Sequence, residues 1–285
     1  MELKYIIEKT NTYPTIQSFL TNRLNLSTRL ITKLIRNKKI QLNNKIADTR
    51  TNLKIGDIIT IDFNYKEDNS NIIPKKIELD IIFEDEWLLI VNKPAGIAIH
   101  PSISHYDDSL SNGIRYYFDK IGLKKKIRPV NRLDLGTSGL VIFAKCEFIQ
   151  QQLSLQMINH CFKKYYLAWI DGFLSEKQGT INLPIARKSD SIIERCVNFE
   201  TGQKSITHYK VLEESLDKNC SLIECELETG RTHQIRVHFS YLGHPLIGDT
   251  LYGKPSNLIN SQALQCYKIK FIHPVTKKEM VFSIS

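Results

Sequence analysis

The chain is punctuated by short apolar runs between turn-forming residues: WLLIVN from Trp87, LVIFAK from Leu140, YYLAWI from Tyr165, SLIECEL from Ser221 and YKIKFI from Tyr267. Runs of this length, rich in β-branched and aromatic residues, predict strands, and five of them argue for a large sheet. The front of the chain has a different rhythm. In LSTRLITKLIRNKK, Leu30, Ile31, Leu34 and Ile35 recur at helical spacing behind Ser27, a suitable N-cap. An earlier helix over TIQSFLTNRL offers Ile16, Phe19 and Leu20 to the same small core. IQLNNKI predicts a hairpin turning at Asn43 and Asn44, and LKIGDIITIDF closes the unit as a strand after a turn at Gly56 and Asp57. The polar stretch NYKEDNSNIIPKK then reads as a linker. One segment fits two templates. RTHQIRVHFSYLG is either a helix capped by Thr232 and ending near Gly243, or a strand with Ile235, Val237 and Phe239 alternating.

Composition adds a partner to this picture. The 285 residues are 42% apolar and 24% charged, ordinary for a soluble globular protein with one large domain and a small appendage. The formal charge of +9 suggests a polyanion, and its distribution sharpens the point. Residues 1–64 carry 11 Lys/Arg against 5 Asp/Glu, so most of the excess sits at the front. Arg29, Lys33 and Arg36 line one side of the predicted helix at i, i+4 and i+7, and Lys38, Lys39 and Lys45 extend the charge. Such stripes are usually only a solvated face. No acidic residue interrupts the run from Lys9 to Asp48, however, which favours phosphate binding by Arg29, Lys33, Arg36, Lys38 and Lys39. The six cysteines show no C-x-x-C pair and no zinc-type spacing, so buried, reduced thiols are expected. MELKYIIEKT lacks the basic-then-apolar pattern of a signal, and no apolar stretch approaches the roughly 20 residues that span a bilayer. A cytoplasmic protein without membrane contact is expected.

The candidate chemistry lies in RPVNRLDLGTSG, from Arg128 to Gly139. Gly136, Thr137, Ser138 and Gly139 form a turn cluster ahead of the LVIFAK strand, so Asp134 stands on a tight loop held by a strand. An aspartate in a turn most often only bonds neighbouring amides. The whole string, however, resembles the RLD-x-x-TSG signature of the RluA/RluD-type pseudouridine synthases, in which the aspartate is catalytic. Four more blocks follow that family's order: LLIVNKPAGIAIHP from Leu88, KKYYLAWIDG from Lys163, ETGRTHQIRVHFSYLGHPLIGDTLYG from Glu228 and ALQCYKIKFIHP from Ala263. Two departures stand out. Asn131 replaces the histidine that many members carry before Arg-Leu-Asp, and Leu264, Gln265 and Cys266 replace leucine-histidine-alanine.

The resemblance implies an α+β fold with a mixed, largely antiparallel sheet over residues 76–285. Within a front domain of residues 1–64, about 14–62 resemble the alpha-L RNA-binding motif often fused ahead of such enzymes, with a linker at 65–75. It implies an RNA uridine isomerase that breaks the C1′–N1 bond and remakes it to C5, with no cofactor and no metal. The absence of a GxGxxG or Walker loop is consistent with that. By resemblance Asp134 is catalytic, either attacking C1′ or removing a ribose proton. Both routes use the carboxylate form, which a guanidinium favours and orients, and the resemblance puts Arg236 in that place. Tyr166 falls on the active-site tyrosine and would hold a flipped base, while Tyr165 would point to the opposite face. Arg132 would fill the space left by the base or contact a phosphate, and Arg231 and His233 would bind the RNA backbone. Lys93 reads as structural or RNA-facing. Ribosomal RNA is the favoured substrate with transfer RNA as the alternative, and a monomer is expected. A silent RNA-binding assembly factor and a glycosidase are the competing classes. The retained Asp134, Tyr166 and Arg236 argue against the first, and the lack of a second acid for activating water argues against the second.

Overall fold

The computed structural model describes residues 1–285 apart from Lys9 and Asn11, so Lys9, the first residue of the acid-free run, lies outside the described residues. The front unit runs β1 (Glu2–Ile6), α1 (Ile16–Ser18) with a π-helical continuation over Phe19–Arg23, α2 (Thr28–Arg36), β2 (Ile40–Leu42), β3 (Lys45–Ile46) and β4 (Ile58–Asp62). Its strands form a four-stranded sheet in the order β1-β4-β2-β3. The local chemistry explains the elements. Ser27 caps α2 by accepting from the Leu30 amide at 3.3 Å. Asn43 and Asn44 supply the positive φ angles, 50° and 65°, of the β2–β3 turn. Leu30, Ile31 and Leu34 are buried as the spacing requires, whereas Ile35 turns to solvent.

The larger unit continues with β5 (Asp80–Glu84), β6 (Leu88–Lys93), α3 (Leu110–Lys120), β7 (Ser138–Ala144), α4 (Glu147–Ile158), β8 (Lys163–Asp171), β9 (Gln178–Asn182), β10 (Ile185–Arg187) and β11 (Arg195–Val197). It ends with β12 (Ile206–Ser215), β13 (Cys220–Leu227), α5 (Gln234–Tyr241), β14 (Leu264–Ile272) and β15 (Glu279–Ser283). Nine strands form one sheet in the order β5-β6-β7-β14-β8-β13-β12-β9, with β15 on β14, and β10 and β11 make a separate hairpin. Every pair is antiparallel except β7 with β14. At that parallel contact a Cβ on Gly139 would lie 2.3 Å from the Cys266 carbonyl oxygen, and φ is 115°, so only glycine lets the two strands meet. All five apolar runs are strands, buried on one face or both.

The polar stretch 65–75 is not a free linker. Asn69 and Ile72 are buried, and the Glu67 carboxylate takes two 2.7 Å hydrogen bonds from Arg128. The polar residues that read as solvated are consumed as partners for backbone and side chains of the larger unit. Lys33 joins the same cluster, 2.7 Å from Glu67 and 2.5 Å from Glu147 at the start of α4, and Tyr65 donates its hydroxyl to Glu147. Phe63 stacks on Phe148 at 5.5 Å, so one apolar core runs through both units. Four of the six cysteines are buried and all are free thiols. No helix among the described residues is long and apolar enough to cross a membrane.

Candidate active site

The loop that carries Asp134 is built from strand-like pairing. Val130 donates to the Ile142 carbonyl at 2.7 Å and Ala144 to that of Arg128 at 2.8 Å, so residues 128–130 ride along β7. Asn131 finishes the attachment. Its amide donates to the Leu140 carbonyl and its oxygen accepts from the Ile142 amide, both at 2.9 Å. The asparagine that departs from the resembling pattern therefore holds backbone. Beyond it the chain turns, with Thr137 donating to the Asp134 carbonyl at 3.1 Å. The Leu135 carbonyl accepts from the Gly96 amide at 2.9 Å and from the Lys93 ammonium at 3.1 Å. Lys93 is fully buried and spends its remaining donors on the carbonyls of Pro94 and Ile97. Burial pushes its pKa down to about 8, partly opposed by the charge of Asp134. Lys93 is thus an anchor under the loop.

With its backbone pinned on three sides, Asp134 presents a carboxylate that keeps 26% of its side-chain surface. Arg236 approaches it from α5, Nη1 to Oδ2 at 3.4 Å. The guanidinium is aimed by Asp249, a fully buried carboxylate that accepts from Nε at 2.7 Å and from Nη2 at 2.8 Å. Asp249 is itself fixed by the amides of Leu251 and Tyr252, and the Tyr252 ring lies 5.0 Å below the guanidinium. Burial opposes the Asp249 charge, but the bonds and charge of Arg236 overcome it and hold its pKa below the usual range.

His233 brings a second nitrogen, Nε2, to 3.9 Å from Asp134, while its Nδ1 lies 2.8 Å from the Tyr252 hydroxyl. Burial lowers its pKa, with the charge of Asp134 opposing, so the neutral ring is favoured. His233 stands at the N-cap of α5 in the left-handed region, φ 58°. Thr232 is therefore not the cap. In its stead Gln234 folds back to accept from the Arg231 amide at 3.0 Å and from the Thr229 hydroxyl at 2.8 Å. The segment is a helix, not a strand, and it ends where Gly243 takes a φ of 83°.

Across the cleft, β8 supplies Tyr166. It is buried, and burial together with Cys266, its register partner on β14, raises its pKa well above the ordinary value. Tyr165 points to the other face of the sheet, under the Lys268 ammonium at 4.3 Å. Arg132, Asp134, Tyr166, Arg231, His233 and Arg236, which the sequence singles out over 105 residues, all line one cleft of about 1050 Å³. Arg132 and Arg231 are exposed at its mouth, where Arg187 and Arg195 of the β10–β11 hairpin join them. In the front unit, Arg29, Arg36 and Lys38 face solvent. Lys33 and Lys39 do not belong with them, because Lys33 is drawn into the Glu67 and Glu147 cluster and Lys39 is paired to Asp62 at 2.5 Å. Asp249 and Tyr252, which fix Arg236 and His233 beside Asp134, are not singled out by sequence reasoning. The available signal is an arginine destined for burial, which needs a carboxylate, and the only Asp or Glu in the block after Arg236 is Asp249.

A family model described as RNA pseudouridylate synthase matches residues 87–241, which include Asp134, Tyr166 and Arg236. The chain belongs to the RNA pseudouridylate synthase family. The uncharacterized RNA pseudouridine synthase YhcT of Bacillus subtilis (strain 168) is 42% identical over 93% of this chain and 87% of its own. Ribosomal large subunit pseudouridine synthase D of Zymomonas mobilis subsp. mobilis is 39% identical over 83% of this chain and 78% of its own. Among solved structures, human RNA pseudouridylate synthase domain containing 1 superposes with a TM-score of 0.61 at 27% identity, covering 73% of this chain and 83% of its own. The pseudouridine synthase is an isomerase acting on RNA, with the α+β, largely antiparallel architecture that its motifs implied.

Proposed function

We propose that this synthase isomerises a uridine of large-subunit ribosomal RNA, with Asp134 reacting at the ribose and Tyr166 and Arg236 as its immediate partners. The observation that carries the reading is the part-exposed Asp134 carboxylate on a pinned loop, 3.4 Å from an arginine whose other nitrogens are taken up by Asp249. Its lone pairs stay available for substrate. To reach it, the uridine leaves its stack and turns into the cleft, whose volume of about 1050 Å³ accommodates the nucleotide with its neighbours. Tyr166 offers its ring to the base. The C1′–N1 bond breaks, C1′–C5 forms, the C5 hydrogen leaves as a proton and N1 gains one, so atoms and electrons balance without redox or hydrolysis. Asp134 serves from the same position whether it bonds to C1′ or removes a ribose proton. Arg132 occupies the space left by the base, and Arg231 and His233 contact the RNA backbone.

The ribosomal substrate is supported by relatives named for the large subunit, one of them 39% identical across most of both chains. It is also supported by the exposed Arg29, Arg36 and Lys38 of the front unit, suited to phosphate. The test is tritium release from C5-labelled uridine in ribosomal and in transfer RNA from a strain lacking this protein, with wild type and Asp134→Ala. Release from ribosomal RNA by wild type alone is expected. Release from transfer RNA alone would overturn the substrate, and release by Asp134→Ala would overturn the role of Asp134.

A further inference from the structure

Lys164 lies two residues before Tyr166 on β8, so the two side chains share one face of the strand, and both line the cleft with Asp134. Its ammonium rests against the turn that opens α5, where a Cβ on Gly230 would be 3.4 Å from Nζ. Neighbouring lysines are satisfied. Lys163 is ion-paired with Glu226, and Lys268 sits over the Tyr165 ring. Lys93 has three carbonyls. The Lys164 ammonium, by contrast, makes no hydrogen bond or ion pair with any described residue. Burial lowers its pKa, and the group that opposes this effect is the thiol of Cys266, itself pushed up to about 12 by burial. Lys164 is part-exposed in the cleft, so an ammonium with its donors uncommitted faces the space where a ligand would sit, an arrangement that collects at functional sites.

We propose that Lys164 holds the uracil ring of the turned-in nucleotide by a ring carbonyl and stabilises the negative charge the ring carries once the C1′–N1 bond has broken. Position favours the base over a phosphate. The ammonium shares its strand face with the platform residue Tyr166, whereas exposed arginines already ring the cleft mouth. When C1′–N1 breaks, the electron pair goes to the ring and spreads over N1 and the carbonyl oxygens. It is returned when C5 bonds to C1′, the C5 proton is lost and N1 is protonated from water. Lys164 keeps its proton throughout and acts as a preorganised charge, strongest where water is excluded. The inference rests on the cleft being the uridine pocket.

The test uses full-length protein and a ribosomal RNA substrate under single-turnover conditions. Lys164→Met, close in length and neutral, is expected to slow isomerisation by about 100-fold, with RNA Kd within about threefold of wild type. Because Lys164 is part-exposed and no hydrogen bond or ion pair of its ammonium is lost, the variant's Tm should stay close to that of wild type, which separates the effect from misfolding. Lys164→Arg, which keeps the charge, should recover part of the rate. A Lys164→Met rate within about threefold of wild type would overturn the proposal, as would a loss confined to Kd, the mark of a phosphate grip. Asp134→Ala run in parallel distinguishes the two levels. If it is inactive while Lys164→Met is normal, only the lysine's role fails. If it is active, the pocket itself is misplaced and the proposal falls with it.

Discussion

Two clusters of charge sit at opposite ends of the segment 128–134, and they are built on opposite rules. At the junction, Glu67 accepts from both terminal nitrogens of Arg128 at 2.7 Å and from Lys33 at 2.7 Å, while Glu147 takes Lys33 and the Tyr65 hydroxyl. Every ion is closed on close partners. In the cleft, Asp134 receives only a 3.4 Å contact from Arg236 and a 3.9 Å approach from His233, and Lys164 receives nothing from the described residues. The tight bonds there belong to Arg236 and Asp249 and fix the guanidinium beside Asp134. Charge that holds the fold uses up its hydrogen-bonding capacity; charge that lines the cleft keeps it open.

The sharpest way to break that contrast is at the two carboxylates. Asp134→Asn should abolish isomerisation, by about 1000-fold or more, equivalent to roughly 4 kcal/mol of barrier, with RNA Kd and Tm nearly unchanged because no close bond is broken. Glu67→Ala should do the reverse. It leaves Arg128 and Lys33 to share the single carboxylate of Glu147, at a cost of about 3 kcal/mol in urea unfolding, while the folded fraction still turns over. The junction also predicts an acid limb. Burial raises the Glu67 carboxyl, but the bonds and charges of Arg128 and Lys33 outweigh it and hold its pKa at about 2 against 4.5 for a free glutamate. A carboxyl depressed in the folded state contributes stability above the unfolded value, and that contribution drains away as pH falls from about 4.5 towards 2. Glu67→Gln should flatten this part of the stability profile. If the profile is unchanged, the junction is not the acid-sensitive element.

A smaller effect is expected at the aiming residue. Asp249→Asn keeps the shape but replaces a bidentate carboxylate with an amide that offers only one acceptor, so Arg236 loses its fixed direction. A drop of about 10- to 100-fold in the single-turnover rate is expected, with RNA Kd little changed, as for other groups that orient a reacting ligand from behind. Equal losses in rate and affinity would instead make Asp249 part of the RNA-binding surface.

The same contrast explains what the sequence can and cannot disclose. Strand-forming runs such as LVIFAK and YYLAWI are legible because burial imposes apolar residues wherever the chain crosses the sheet. Asn43 and Asn44 betray their turn because few other residues accept positive φ. The helix α5 is ambiguous in sequence for a physical reason: Gln234 through Phe239 are all buried, so no polar face marks a helical period. Asp134, Tyr166 and Arg236 are identifiable because their blocks resemble a family's. Partnerships are not legible. Lys33 reaches Glu67 and Glu147 across 34 and 114 residues, so a helix stripe that looks free in sequence is part of a closed network in space. Segment 65–75 reads as a linker for the same reason, since its polarity serves buried partners.

The smallest effect is expected in the front unit. Arg29, Arg36 and Lys38 face solvent, whereas Lys33 lies on the same helix with its charge already matched. Neutralising any of the first three to glutamine should weaken RNA binding modestly and uniformly across sequences. It should also lower the slope of log K against log salt by up to about 1 per residue, because a phosphate that no longer meets a cation keeps its counterion. Lys33→Gln should leave the slope where it was and lower Tm instead, since it removes one cation from Glu67 and Glu147. A salt titration of the four single variants therefore sorts the basic stripe into charge held for RNA and charge held by the protein. If Lys33→Gln shifts the slope as much as Arg29→Gln does, the junction network opens in solution and the division between closed and open charge is not fixed at this boundary.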